Sequence, residues 1–375
     1  MAALLLAWGI LILSTGGLTP AAAAPSSLPS SLPSSLRTHL ALGANVHPVW
    51  SDGDAWDPLV QTLVRYGADH VRVDVGWNEV EPNAAGVFDE AFVATLAAQL
   101  EIAKQAGLKV MLTVVATPAW ATRSGDARNP PDDPQTFGTA IAWLAGRIGS
   151  LVDMWEIWNE PNASSFFRGT PEQYAALLRA AHDALRVADP SAIIISGGLS
   201  GNDTRWFAAM LAAGGLGLAD AYGVHPYPSP SDLAPGSAGG PAAHRFLGLQ
   251  AMIDVLAIFG QPKAPLWISE IGWSVHETRS APWLRGVDVT EQADYLGQAV
   301  DIVRSYFPTV RGITWYTARD REVGNTHERS FGLFDRDLQA RPAAAALLEA
   351  STRIRRDERR RTPRVPIINF RSVAS

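Results

Sequence analysis

The sequence predicts an α/β chain folded as a single (β/α)8 TIM barrel, and three observations carry that prediction. Short β-rich runs alternate with longer segments of helical periodicity, the pattern of parallel strands joined by crossover helices. The alternation repeats eight times between about residues 40 and 350. Polar and aromatic residues gather just after the strands, as expected when strands share one functional rim. An open doubly wound sheet is the competing arrangement. It usually carries a glycine-rich phosphate turn after its first strand, and "GANVHPVW" at 43–50 is not one.

The elements follow in order. The strand expected at 40–46 ends in Asn45 and His47, and "DPLVQTLVRYG" supplies the helix, stopped at Gly67. The second strand, 70–75, contains Arg72 and runs into Trp77, Asn78 and Glu79; its helix, "DEAFVATLAAQLEIAKQAG", stops at Gly107. The third, 109–115, ends in "TPAW" with Trp120 and is followed by "TFGTAIAWLAGRIG". The fourth, 152–158, ends in Asn159 and Glu160; Thr170, Pro171 and Glu172 then mark a helix start. The fifth, 192–196, runs into "GGLSGND" and offers little chemistry. The sixth, 221–224, ends in "HPYP" with His225 and Tyr227, and its helix stops at Gly260. The seventh, 266–269, ends in Glu270 and "IGW" with Trp273; Thr290 and Glu291 mark the next helix start. The eighth, 312–316, contains Trp315 and Tyr316, and "RPAAAALLEASTRI" closes the set. The loops at 226–240, 271–289 and 317–335 are long enough to shape a cleft.

Composition narrows the chemistry. The chain has no cysteine, so disulfides, thiol catalysis and thiolate metal sites are excluded. A formal charge of −6 does not suit a nucleic-acid partner. The eight histidines show neither HExxH nor HxH spacing, and "DGDAWD" at 52–57 lacks the remaining positions of a calcium loop, so no metal and no cofactor are expected. "GGLSG" at 197–201 does not match the G-x-S-x-G of serine hydrolases.

Two residues ask for a function. Glu160 and Glu270 end the fourth and seventh strands, 110 positions apart in sequence, and both should face the cleft of a barrel. Opposed carboxyls flanking a cleft are the minimum apparatus for glycoside hydrolysis. One must hold a proton for the leaving oxygen while the other is ionised, and burial and neighbours set which is which. Arg72 is placed to keep one carboxylate ionised and Tyr227 to donate a hydrogen bond to it.

"WEIWNEPN" at 155–162 with "LWISEIGW" at 266–273 resembles the large clan of retaining (β/α)8 glycoside hydrolases. In that clan the acid/base Glu follows Asn at the end of strand 4 and the nucleophile Glu ends strand 7. The resemblance covers about residues 38–350 and includes a strand-6 "HPY", a strand-8 Trp and "FGLFDRDLQARPA" at 331–343. Its details look closest to family 39 and its relatives, among them β-xylosidases, α-iduronidases and bacterial exopolysaccharide endoglycosidases; families 5 and 51 stay open. The resemblance implies that Glu160 is the general acid and then base, Glu270 the nucleophile, and Asn159 a hydrogen-bond partner of the sugar 2-hydroxyl. It implies that Tyr227 and Arg72 orient Glu270, that His225 lines the site near the acid/base, and that Trp315 floors the sugar subsite. The two carboxyls should then lie roughly 5–5.5 Å apart. The activity implied is hydrolysis of O-glycosidic bonds by double displacement, endo-acting on a β-linked polysaccharide. An exo-acting β-xylosidase-like glycosidase and a barrel that binds polysaccharide without cleaving it are the alternatives.

Other residues are weighed against a purely structural role. Glu156, within the fourth strand, reads as a buried, hydrogen-bonded barrel residue. His47 is expected on the substrate side, although an apolar wall often contains one satisfied histidine. Among thirteen tryptophans, Trp77, Trp120 and Trp273 fall on the rim and are expected to line the cleft, Trp158 is balanced between packing and cleft, and Trp50 and Trp283 are ambiguous. At the ends, residues 1–24 read as a signal peptide or membrane anchor and 25–36 as a Ser/Pro linker, which places the 37–350 barrel in a secreted or cell-envelope location. Residues 351–375 form a basic tail with eight arginines, read either as a solvated helix end or as a contact to an anionic surface.

Overall fold

The structure is a computed structural model that describes residues 40–278 and 280–361. The segments read as signal peptide and Ser/Pro linker, and the end of the basic tail, lie outside the described residues. Eight strands form the barrel: β1 (Ala41–Val46), β2 (His70–Gly76), β3 (Lys109–Val115), β4 (Met154–Ile157), β5 (Ile193–Ser200), β6 (Ala221–His225), β7 (Leu266–Ile271) and β8 (Val310–Trp315). Each pairs in parallel with the next, and β8 closes on β1. The (β/α)8 expectation therefore holds, with shifts at the strand ends. β4 stops at Ile157 because Trp158 takes a left-handed backbone (φ 73°), and β5 runs on through Gly197 and Gly198 to Ser200.

Strand period explains the two cores. Alternate residues such as Val71, Val73, Val110 and Leu112 point outward and are buried under the helices. The other face fills the barrel. Its lower layer is a separate apolar cluster of Ala41, Met111, Met154, Ile193, Ile195, Ala221 and Trp267. The Trp267 ring lies against the backbone of Gly312, where a Cβ would collide with it. Trp267 Nε1 donates to Thr314 Oγ1 at 3.3 Å, and His70 Nε2 meets the same oxygen at 2.8 Å. Above this floor the inward positions become polar: Asn45, Arg72, Asp74, Glu156, His225 and Ser269.

The helices start where side chains cap them. Asp89, Asp133, Thr170 and Asp203 each accept a backbone N–H from the first turn of their helix, contributing about 1 kcal/mol apiece. The helix Val289–Tyr306 starts at Asp288 rather than Thr290, because the Asp288 carboxylate accepts from the amides of Thr290 and Glu291. The helix that stops before Gly260 begins at Leu249, after two short 3-10 turns. The last helix runs from Pro342 to Arg361 and carries the first part of the basic segment. Three ion pairs tie it back to the barrel: Arg353 to Asp301 at 2.9 Å, Arg355 to Asp69 at 2.9 Å, and Arg304 to Asp357 at 2.6 Å. Among the described residues no helix is long and apolar enough to cross a membrane.

Candidate active site

Arg72 organises the mouth of the barrel. It is fully buried on β2, where alternation points it inward with His70 and Asp74. Nε donates to Glu156 Oε2 at 2.6 Å, Nη1 to Asn45 Oδ1 at 2.7 Å and Glu270 Oε1 at 3.0 Å, and Nη2 to Asn159 Oδ1 at 2.8 Å. The fork geometry of a guanidinium lets one side chain hold four partners from β1, β4, the turn after β4 and β7. Burial would lower its pKa, but the charges of Asp74, Glu156 and Glu270 outweigh that, and the group stays charged. Glu156, fully buried, also accepts from Thr113 Oγ1 at 2.7 Å and the Gly198 amide at 3.2 Å. Burial pushes it up, and Arg72 and then His225 more than reverse this, so it is ionised.

Two local breaks bring the remaining carboxyls in. After β4, Trp158 and Glu160 both adopt positive φ (73° and 43°), and the Glu160 amide donates to the Gly198 carbonyl at 3.0 Å. Along β7 the register against β8 shifts between Ile268 and Ile271, so the consecutive residues Ser269 and Glu270 both reach the interior. His225, at the end of β6, sits between the carboxyls. Its Nδ1 is 3.1 Å from Glu160 Oε1 and 3.8 Å from Glu270 Oε2, and its Nε2 is 3.1 Å from Ser269 Oγ. Burial would lower its pKa; Glu270 and Glu160 outweigh burial and hold it above the ordinary value. Burial raises Glu270, opposed by His225 and Arg72. The Tyr227 hydroxyl donates to Glu270 Oε2 at 3.3 Å, and burial next to Glu270 keeps that phenol protonated.

The arrangement pairs a caged carboxylate with a second carboxyl that has one hydrogen-bonded imidazole, at the rim where a barrel binds its substrate. The family model described as Cellulase (glycosyl hydrolase family 5) matches residues 36–310. The chain belongs to glycosyl hydrolase family 5. It is a glycoside hydrolase, and solved structures share its barrel. A family 39 glycoside hydrolase from the gut symbiont Bacteroides cellulosilyticus WH2 superposes with TM-score 0.67 at 24% identity, over 85% of this chain and 65% of that one. A GH5_18 protein from Streptomyces cattleya, solved with GlcNAc, gives 0.68 at 21%, over 87% and 82%. An exo-beta-1,4-mannosidase from Opitutaceae bacterium strain TAV5 gives 0.60 at 17%, over 84% and 60%. This family 5 barrel thus spans about two thirds of the family 39 protein's length. A comparison with curated proteins finds no match.

The tryptophan expectations need correction. Trp315 is no floor. It is 2% exposed, its Nε1 donates to the Phe331 carbonyl at 3.1 Å, and it packs on Trp273. Since Thr314 points into the barrel, parity sends Trp315 outward and Tyr316 inward. Tyr316 is the residue against His47 and Phe331, its hydroxyl accepting from Arg321 at 2.8 Å. Trp273 is fully buried and donates to the Leu233 carbonyl at 2.9 Å, bracing the loop after β6. Trp77 is buried too, donating to Glu81. Trp120 is half-buried edge-on to Trp77, with its nitrogen given to the Glu81 carbonyl. Trp158 is 1% exposed and donates to the Phe166 carbonyl at 3.2 Å.

The aromatic surfaces that do face the cleft are Trp50 and Phe166, 48% and 45% exposed. They line a cavity of about 250 Å³ together with Asp74 and Asn159. On the other side of Trp50 a cavity of about 490 Å³ is bounded by His47, Asp54, Arg321 and Val323. A larger one, about 600 Å³, lies at the opposite end of the barrel near Leu40, Arg304 and Asp357 and contains none of the carboxyl cluster. Asp74 and Tyr316 were missed as site residues, though strand alternation from Arg72 and Thr314 marks both.

Proposed function

We propose that this family 5 enzyme cleaves O-glycosidic bonds with retention, through two displacements at the anomeric carbon, with Glu270 as nucleophile and Glu160 as acid/base. The observation that carries the reading is the single nitrogen, His225 Nδ1, that lies 3.1 Å from one carboxyl and 3.8 Å from the other. The nearest oxygens of the pair are no farther apart than the sum of those lengths. That limit falls at the foot of the ~6.5–9.5 Å range of inverting pairs and accommodates the ~5–5.5 Å of retaining ones.

The steps follow from the contacts. Arg72 and Tyr227 each hold one oxygen of Glu270, which fixes the carboxylate plane and disperses its charge. Glu270 attacks the anomeric carbon as Glu160 gives its proton to the departing glycosidic oxygen. That bond breaks and a glycosyl ester forms on Glu270. Glu160, now ionised, takes a proton from water, whose oxygen attacks the same carbon and releases Glu270. Asn159 gives its carbonyl oxygen to Arg72, which leaves its amide N–H free to donate to the sugar 2-hydroxyl. His225 donates to Glu160 and, through Ser269, is linked to the ionised Glu156, so it stays oriented while the proton moves.

We assign the substrate as a β-linked polysaccharide cut internally, since cavities flank Trp50 on both sides. Exo action is the second reading. It is favoured by the barrel's likeness to an exo-beta-1,4-mannosidase and to a GH5_18 protein solved with Manb1-4GlcNAc. The site acts, in this proposal, outside the cytoplasm. The test is a screen of the enzyme against polysaccharides and aryl glycosides, with the first-formed anomer read by NMR and chain lengths by chromatography. Retained anomer with a ladder of intermediate lengths is expected. Inverted anomer contradicts the mechanism, and monosaccharide release alone contradicts endo action.

A further inference from the structure

Asp74 is the carboxylate in the cleft that no step above uses. Its Oδ1 lies 3.0 Å from Arg72 Nη1, yet it receives no hydrogen bond there. Proton count explains this. Nη1 carries two hydrogens, and Asn45 and Glu270 take both. Asp74 shares the charge of Arg72 without receiving a proton from it. Beside it, His47 is 6% exposed, and both of its ring nitrogens are buried without a hydrogen-bond partner. The nearest charged oxygen is Asp74 Oδ2, at 3.7 Å from Nδ1. Asp74 faces the smaller cavity and His47 the larger, so the pair stands at their junction beside Glu270.

An unmet acceptor and an unmet imidazole leave polar atoms that a ligand can satisfy. Burial lowers the His47 pKa, Asp74 opposing, so the ring is neutral and offers one donor and one acceptor. Sugar hydroxyls both donate and accept, and they satisfy the two residues together.

We infer that Asp74 and His47 bind neighbouring hydroxyls of the sugar held over Glu270. The inference rests on the reading of Glu270 as the centre of the sugar site. It is tested with nitrophenyl β-glycosides of glucose, mannose and xylose, then with monodeoxy analogues of the best one, on wild type and Asp74→Ala. Asp74→Ala should lower kcat/KM at least about tenfold on the parent sugar, and by much less on the one analogue lacking the hydroxyl that Asp74 holds. An equal loss across every analogue overturns the inference. A second reading needs no turnover. Cellotriose, mannotriose and xylotriose are titrated into Glu270→Gln with and without Asp74→Ala. Weaker binding in the double variant supports the inference; unchanged affinity, or no binding of any of the three, overturns it. Binding without cleavage by wild type would instead break the catalytic reading.

Discussion

Two histidines, one layer apart inside the barrel, are equally buried and chemically opposite. His70, in the floor, meets Thr314 Oγ1, and burial pushes its imidazole down to about 4 against a weak pull from Asp69. His225, in the mouth, suffers the same burial, but the charges of Glu270 and Glu160 raise it instead. Neighbouring charge, not depth, therefore decides whether a ring in this barrel carries a proton. The floor is neutral, apolar and tightly filled around Trp267. The mouth is a network of ions that Arg72 holds in register. One layer supplies rigidity, and the other supplies chemistry at the cost of buried charge.

The comparison breaks first at the mouth. Glu270→Ala and Glu160→Ala should each lower kcat by about a thousandfold or more with the fold intact. Thr314→Val, in the floor, should leave kcat little changed; steady-state kinetics beside thermal melts checks both. Arg72→Ala comes next. It strands Glu156 and Glu270 as buried, unpaired carboxylates and should cost about 3–5 kcal/mol in urea unfolding. Arg72→Lys keeps the charge but loses the fork, and should recover stability without recovering full activity.

Stability against pH separates the two layers by sign. The folded-state pKa of His70 lies below its unfolded value, so its contribution is intact above about pH 6.5 and is lost as pH falls towards about 4. The loss reaches about 3 kcal/mol by the bottom of that window, and His70→Gln should remove it. The folded pKa of His225 is raised, so its contribution is complete below about pH 6.5 and is lost as pH rises through the folded value. His225→Gln should flatten that alkaline decline. Denaturant melts from pH 4 to 9 read both slopes. The smallest effects are aromatic. Trp50→Ala should raise KM for a long oligosaccharide about tenfold with kcat nearly unchanged. Trp315→Phe should leave KM alone and cost about 1–3 kcal/mol of stability.

The barrel was legible in the sequence because both periods repeat cleanly: apolar alternation in the strands and capped helical patterns between them. The two glutamates were legible because each ends a strand and interrupts an apolar run. What escaped was direction. Trp315 and Tyr316 are adjacent, and a one-residue step turns a side chain to the other side of a sheet. Trp273 and Trp77 lie on the rim in sequence, yet their rings turn into the core, where backbone carbonyl and carboxylate acceptors take their indole N–H groups. The glycines of "GGLSGND" looked empty of chemistry. Gly198 leaves the space that the His225 ring occupies, and its carbonyl holds the Glu160 amide. No strand period marks a residue whose function is to lack a side chain.

The central claim is that Glu270 is the attacking carboxylate. Wild-type enzyme incubated with a 2-deoxy-2-fluoro aryl glycoside of the sugar it cleaves should gain the mass of one fluoroglycosyl group. Peptide mapping should place that group on Glu270. A label on another residue, or rapid inverting turnover with no label at all, would contradict the account.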